Sequence, residues 1–422
     1  GIQSSACFSG GNYLSLTSTE TDQFNWTFST WFKNCALGTT RTILGGGTSS
    51  SNRTAIELTS NNEISFINVS TEFGGHTQEA TTNRKFMDVS NWYHLVVRCY
   101  QSGNTDAQRL EMWINGVQVQ SNEWETRTGF NNSQHTYICR ETVTMHVGSR
   151  GYSAGDYFDG YLADTHLLTQ ARDAGSFGQY EGEIWTPTKL NQGNSSGIIP
   201  YNSGDGFFLE YKNSASSGSL QNLVGADSSG LDNHLTPQGS WGTGNGGLKD
   251  TPTNNFPVLN LLTQDNTEDI TLSRGNRMAT STGSDMESVP CTWHIIKRNN
   301  YPLQASTRYP QLMAEFYIKS GIGSDYSSDM EIAIGLVDRD HNPETNPGGS
   351  WTLGWWNTGH VYFTYNYGQN NNRRFKDGDV VSIAHSIENN RQKGTLWING
   401  VRKYGFFFGS SGSGTGGNEF YQ

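Results

Sequence analysis

The sequence is short of charge, of proline and of long apolar runs. Of 422 residues, 16% are charged and only 10 are proline. Apolar stretches such as Leu95-Val96-Val97 and Phe406-Phe407-Phe408 fall far below the roughly 20 residues of a transmembrane helix, so no membrane insertion is expected. Basic residues are few as well: 28 Lys+Arg stand against 39 Asp+Glu, for a formal net charge of -11. Without a Lys/Arg run the chain lacks the electrostatic footprint of a nucleic-acid binder. The segment Gly1-Ile2-Gln3-Ser4-Ser5 has neither the basic region nor the apolar core of a signal peptide, so none is expected. Five cysteines (Cys7, Cys35, Cys99, Cys139, Cys291) are odd in number and scattered, which offers neither a complete disulfide framework nor a CxxC metal pair. Folding in a reducing cytosol is expected.

What is abundant points the other way. Aromatic residues make up 12% of the chain, and disorder normally comes with few of them. The uncharged surplus lies in Ser, Thr, Asn and 50 Gly, the residues of turns and solvent-facing strand positions. At roughly 100–200 residues per domain the length implies two or three domains. The chain reads as all-β.

Phe24, Trp26 and Phe28 alternate with polar residues, the signature of a half-buried strand. Ile64 with Phe66, Tyr93 to Cys99, Val143–Val147 and Tyr157–Leu168 read as further strands. In Leu110-Glu111-Met112-Trp113-Ile114-Asn115-Gly116-Val117, two apolar runs flank Asn-Gly, the strongest short hairpin signal. No segment carries a helical period. Many short antiparallel strands imply a sandwich or jelly roll.

The blocks Phe28-Ser29-Thr30-Trp31-Phe32, Asn91-Trp92-Tyr93-His94-Leu95, Met112-Trp113-Ile114-Asn115-Gly116, Val147-Gly148-Ser149 and Phe158-Asp159-Gly160-Tyr161-Leu162 occur in order. Together they resemble the laminin-G/pentraxin-like branch of the concanavalin A-like lectin fold, over residues 1–175. Residues 176–257 are rich in Gly, Ser, Asn and Thr, with apolar islands at Ile198–Tyr201 and Phe207–Tyr211, and read as a connector with short edge strands. Ser176-Phe177-Gly178, Gly225-Ala226-Asp227-Ser228-Ser229-Gly230 and Asp250-Thr251-Pro252-Thr253-Asn254 resemble connectors of bacteriophage virion proteins, notably of marine phages. There a laminin-G-like module precedes a SPRY-like one. Residues 258–422 fit that expectation. Gly378-Asp379-Val380-Val381 followed by Gly394-Thr395-Leu396-Trp397-Ile398-Asn399-Gly400-Val401 is similar to the SPRY/B30.2 pattern. Two tandem concanavalin-like sandwiches are therefore expected, the second ending before the further strands that usually follow this hairpin in the SPRY pattern.

Three kinds of chemistry come into question. A retaining glycosidase needs two carboxylates about 5–5.5 Å apart, and neither Glu111, Glu331 nor Asp338 with Asp340 offers a convincing pair. No enzyme is expected. Asp156 and Asp159 are candidate Ca²⁺ ligands, because some laminin-G-like domains bind calcium at a loop rim; against this, no dense carboxylate cluster surrounds them, and turn-capping is the competing reading. No cofactor is otherwise expected. For glycan stacking, adjacent Trp355 and Trp356 must point to opposite strand faces, so that one fills the core while the other stands outside. With Tyr362, Tyr365 and Asn370 they form the candidate glycan site; scaffold or subunit contact is the competing reading. Trp124 and Tyr152 are loop candidates in the first module. The resemblance implies a virion protein, a tail fibre, spike or appendage, assembled in the host cytoplasm and binding host-surface polysaccharide. A bacterial surface adhesion module, or a glycan depolymerase, is the alternative. Partners are other virion proteins and further copies of the chain, a trimer if it is a fibre. Phe406–Phe408 would form an apolar edge needing cover from Phe420 and Tyr421, from a neighbouring subunit or from further chain.

Overall fold

The computed structural model describes residues 1–19, 23–72, 74–188, 201, 204–242, 244–260, 270–281, 289–292, 312–319, 332–336, 353–363, 366–369, 371–388 and 391–407. They divide into two compact units, the first holding the described residues up to 292 and the second those from 312. The first unit opens with β1 (Ala6–Ser9), β2 (Asn12–Thr17), β3 (Asn25–Asn34), β4 (Arg41–Ser49), β5 (Asn52–Leu58) and β6 (Glu63–Ser70). Then come β7 (His76–Lys85), β8 (Tyr93–Tyr100), β9 (Leu110–Ile114), β10 (Val117–Gln118), β11 (Trp124–Thr128), β12 (Thr144–Val147) and β13 (Asp159–Leu168). It closes with β14 (Gly178–Glu181), β15 (Ile184–Pro187), β16 (Phe207–Leu209), β17 (Thr236–Gly239), β18 (Ile270–Ser273) and β19 (Met278–Ser281).

Among the described residues the strands form two large antiparallel sheets. One is seven-stranded, in the order β1-β13-β3-β8-β9-β10, with β16 also paired to β13. The other is eight-stranded, in the order β11-β7-β6-β5-β4-β12-β2-β17. Their inner faces share one core, with Trp26, Phe28, Phe32, Leu95, Val97 and Met112 from the first sheet and Leu14, Leu44, Ile56 and Phe66 from the second. Removing such apolar surface from water is what holds the layers together, at roughly 1.5–3 kcal/mol per large side chain.

β3 differs from its expected half-burial, since it is buried on both faces from Trp26 to Asn34. Its inner residues enter the core, while Ser29 and Trp31 lie beneath the β14–β15 hairpin, whose Trp185 packs with their partners. Lys33, fully buried, donates to Asp250 Oδ2 at 3.0 Å, Asn255 Oδ1 at 2.8 Å and the Phe256 carbonyl at 2.6 Å. All three ammonium protons are thereby used. Trp92 Nε1 donates to the other Asp250 oxygen at 3.0 Å, which fastens residues 250–256 over the strand.

The second unit contains β20 (Leu312–Tyr317), β21 (Ala333–Leu336), β22 (Leu353–Trp356), β23 (His360–Phe363), β24 (Asn366–Gln369), β25 (Val380–Glu388), β26 (Arg391–Ile398) and β27 (Val401–Phe407). Two four-stranded antiparallel sheets result, β20-β25-β26-β27 and β21-β22-β23-β24. Ile334, Trp355 and Val361 from one sheet and Val381, Ile383, Leu396 and Ile398 from the other form a common core. β27 pairs with β26 as an outer strand among the described residues; Phe408 and the chain beyond it, with Phe420 and Tyr421, lie outside them.

Both units use the same hairpin. Asn115 and Gly116 have φ of 50° and 79°, and Asn399 and Gly400 have φ of 50° and 75°, as a type I′ turn requires. The asparagine does more than turn the chain. Asn115 donates its N–H to the His94 carbonyl at 2.9 Å, and its Oδ1 accepts the His94 N–H at 2.8 Å. Asn399 repeats both bonds with Val380, each at 2.8 Å. In each unit the turn is thus pinned to the neighbouring strand.

Candidate functional site

Of the residues expected to stack on a sugar, Trp355 and Trp356 are not presented for it. Trp355 is fully buried, its Nε1 donates to the Arg373 carbonyl at 2.8 Å and its ring meets Phe375 edge-on at 5.3 Å. Trp356 lies on the opposite strand face but is also buried, at 6% exposure. Alternation correctly separates the two rings, yet both faces of β22 are covered, so neither ring is open to a ligand. Tyr362 lies on β23, with its side chain outside the described residues, as are Tyr365 and Asn370 entirely. In the first unit the Arg127 guanidinium covers Trp124 at 5.1 Å and that of Arg150 covers Tyr152 at 5.3 Å, cation–π contacts that occupy one face of each ring.

The acidic candidates are likewise engaged. Asp156 pairs with Arg150 at 3.2 Å, and burial pushes Asp159 up to about 6, opposed by the Arg41 cation. Among the described residues no three His, Cys, Asp or Glu side chains gather as metal ligands, so the Ca²⁺ reading of Asp156 and Asp159 has no cluster to rest on. Glu111 is ion-paired with Arg98, while Glu331, Asp338 and Asp340 lie outside the described residues.

Buried Ser29 and His94 lie 2.9 Å apart and invite comparison with a nucleophile and its base. The hydrogen-bond roles exclude this. Trp185 Nε1, which can only donate, bonds His94 Nδ1 at 2.9 Å. The ring's proton is therefore on Nε2 and points at Ser29 Oγ, so the histidine cannot take the serine's proton. Burial lowers its pKa to about 3, with a smaller contribution from His166. This is a structural histidine, stacked between Trp31 at 4.7 Å and Trp185 at 6.0 Å.

The recess that remains lies beside β16. Tyr211, in the left-handed region at φ 53°, turns into the core and bonds Thr165 Oγ1 at 2.9 Å. Glu210 and Lys212 flank it, ion-paired at 2.5 Å on the wall of a cavity of about 250 Å³. Across from them runs the loop built on Asp227. Its Oδ1 accepts the N–H groups of Phe208 and Ser229, each at 2.8 Å, and Oδ2 accepts Ser229 Oγ at 2.7 Å and the Asn233 N–H at 3.0 Å. Asn233 Nδ2 reaches the carbonyls of Gly204 at 2.6 Å and Gly206 at 2.8 Å. The Asp227 N–H donates to His234 Nδ1 at 2.9 Å, which fixes the imidazole at the cavity wall with Asp232 beside it. In the sequence, Gly225–Gly230 reads only as connector. Asp-Ser-Ser-Gly is an Asx-turn signal, but nothing local announces that the turn faces Glu210.

Residues 8–176 match a family described as the concanavalin A-like lectin/glucanases superfamily. No curated protein matches the chain. Among solved structures, the heptameric SAP-like pentraxin of Limulus polyphemus is similar at 15% identity and TM-score 0.30, over 40% of this chain and 78% of that one. Domains LG4-5 of the mouse laminin alpha1 chain are similar at 10% identity and TM-score 0.33, over 94% and 76%. Tailspike protein 2 of Escherichia coli O157:H7 bacteriophage CAB120 is similar at 11% identity and TM-score 0.27, over 37% and 21%. The fold is all-β and concanavalin-like, of the laminin-G kind in its first unit.

Proposed function

We propose that this chain is a non-enzymatic, glycan-binding component of a bacteriophage virion, a tail fibre, spike or appendage that attaches to host-surface polysaccharide. The observation that carries the reading is the match of residues 8–176 to a lectin/glucanase family. The chemistry around the acids favours the lectin side of that family. A glycosidase needs an acid and a second carboxylate across the scissile bond, whereas Asp250 serves Lys33, Glu111 serves Arg98 and Asp227 serves its own loop. The cavity beside β16 is polar and concave, as a sugar site requires. The phage assignment rests on the resemblance of the connector segments and of the second, SPRY-like sandwich to virion proteins. Homo-oligomers are the default for such assemblies, and a trimer is expected for a fibre.

A glycan array probed with the full chain, together with proteomics of purified phage particles, tests both parts. Selective glycan binding and presence in particles are expected, with no new reducing ends after incubation with polysaccharide. Presence on bacterial envelopes and absence from particles would overturn the virion assignment. Failure to bind any glycan would overturn the lectin reading.

A further inference from the structure

The contacts that fasten residues 250–256 over β3 bring an amine, an amide and a carboxylate to one point. Lys33 is fully buried, and its Nζ lies 3.0 Å from Asp250 Oδ2 and 2.8 Å from Asn255 Oδ1. The Asn255 amide is held in one orientation. Its oxygen faces the ammonium, which can only donate, and its Nδ2 donates to the Ser90 carbonyl at 2.8 Å. The amide carbon lies one carbonyl bond of about 1.2 Å beyond that oxygen, so Nζ stands within about 4 Å of it. Reacting atoms poised for attack are roughly 3–3.5 Å apart, a small movement away. Asp250 is fixed as firmly, since Oδ1 accepts the Trp92 Nε1–H at 3.0 Å and the Phe256 N–H at 3.2 Å, which leaves Oδ2 to the lysine. Trp31, Trp92, Tyr161 and Val258 form the apolar surroundings.

We propose that Lys33 and Asn255 become joined by an amide bond between their side chains, with Asp250 as the base. A structural ion pair needs only the carboxylate; this site adds an electrophilic carbon beside the amine. Asp250 Oδ2 takes one proton from the ammonium, leaving a neutral amine and a neutral acid, which a site closed to water accommodates. Rotation about the Cε–Nζ bond turns the freed lone pair to Asn255 Cγ, and a C–N bond forms. A second amine proton passes to Nδ2, the Cγ–Nδ2 bond breaks and ammonia departs, taking up the proton held by Asp250. Lysine ammonium and primary amide thus become secondary amide and ammonium ion, with no oxidant or cofactor consumed. Asn255 reaches solvent, which gives ammonia a way out. The bond would tie together residues 222 apart in a chain whose five cysteines are all free, constraining the unfolded state as a disulfide does.

Mass spectrometry of the full chain tests this. The intact protein should be lighter than its sequence by one ammonia. Trypsin should fail to cut after Lys33 and should release residues 1–41 joined to residues 250–274 as one branched peptide. Lys33→Arg, Asp250→Asn and Asn255→Ala should each restore the full mass and abolish the branch. Asn255 is exposed and lies outside the strands, so Asn255→Ala should keep the fold by circular dichroism and carries the test alone if the other two variants unfold. Full sequence mass in the wild type, with ordinary cleavage after Lys33, would overturn the proposal. Loss of ammonia without the branched peptide would overturn it too, since a succinimide at an Asn-Gly turn gives the same mass. Equal cross-linking in a folded Asp250→Asn variant would overturn the role of the carboxylate.

Discussion

Acidification should destabilise the first unit through His94, and the size of the effect follows from its surroundings. The ring is fully buried, accepts from Trp185 at Nδ1, donates to Ser29 at Nε2 and lies between two indoles. A second proton on Nδ1 would point at the Trp185 N–H, break that bond and leave a cation without water. Burial accordingly lowers the pKa from 6.5 to about 3, and the nearby His166 adds to it. Between those values the unfolded chain binds the proton and the folded one does not, so stability rises with pH there. The contribution is complete above pH 6.5 and is lost as pH falls toward 3. At about 1.4 kcal/mol per pH unit over that span, the loss reaches at most about 5 kcal/mol. Urea unfolding followed by tryptophan fluorescence from pH 7 to 4, in the wild type and in His94→Gln, isolates the effect. The comparison is of slopes, since glutamine changes the packing but cannot titrate. The wild type should lose stability more steeply below pH 6. Parallel curves, or an NMR titration showing His94 protonated at pH 6 in the folded state, would refute the reasoning.

Other perturbations follow the same logic. A side chain at Gly116 meets both a left-handed φ and the Trp185 ring, whereas Gly400 has open space and only the φ constraint; Gly400→Ala should cost about 1–2 kcal/mol and Gly116→Ala clearly more, read from thermal melts. Asp250→Asn leaves Lys33 charged and buried without its carboxylate, so a loss of about 3–5 kcal/mol and new proteolytic cleavage near residues 250–256 are expected; unchanged stability would contradict the role given to that pair. Asp159 behaves oppositely to His94: its pKa is raised from 3.8 to about 6, so the stabilising form is the protonated one and the contribution fades as pH rises through 6. Asp159→Asn should therefore gain up to about 3 kcal/mol at pH 8, with little difference at pH 4, and a variant less stable at pH 8 would show that the charged form is needed.

The all-β character and both Asn-Gly hairpins were legible because they depend on local chemistry. Alternating apolar residues give a strand its two faces, and Asn-Gly accepts two successive positive φ angles, so a dozen residues suffice. The separation of Trp355 from Trp356 is of the same kind. Which faces stay open is not a local property. β3 reads as half-buried, yet its outer face is closed by a hairpin some 150 residues later and by Asp250, more than 200 residues away. One ring of the Trp355–Trp356 pair reads as standing outside, and both are buried all the same. His94 sits in an ordinary-looking strand, and only Trp185 decides which of its nitrogens carries the proton. The cavity at His234 is hidden for the same reason, since it exists only where the turn at Tyr211 meets the loop that Asp227 folds around itself. Backbone periodicity is set between neighbours in the chain, whereas burial, tautomer and cavity are set by whichever distant segment packs against them.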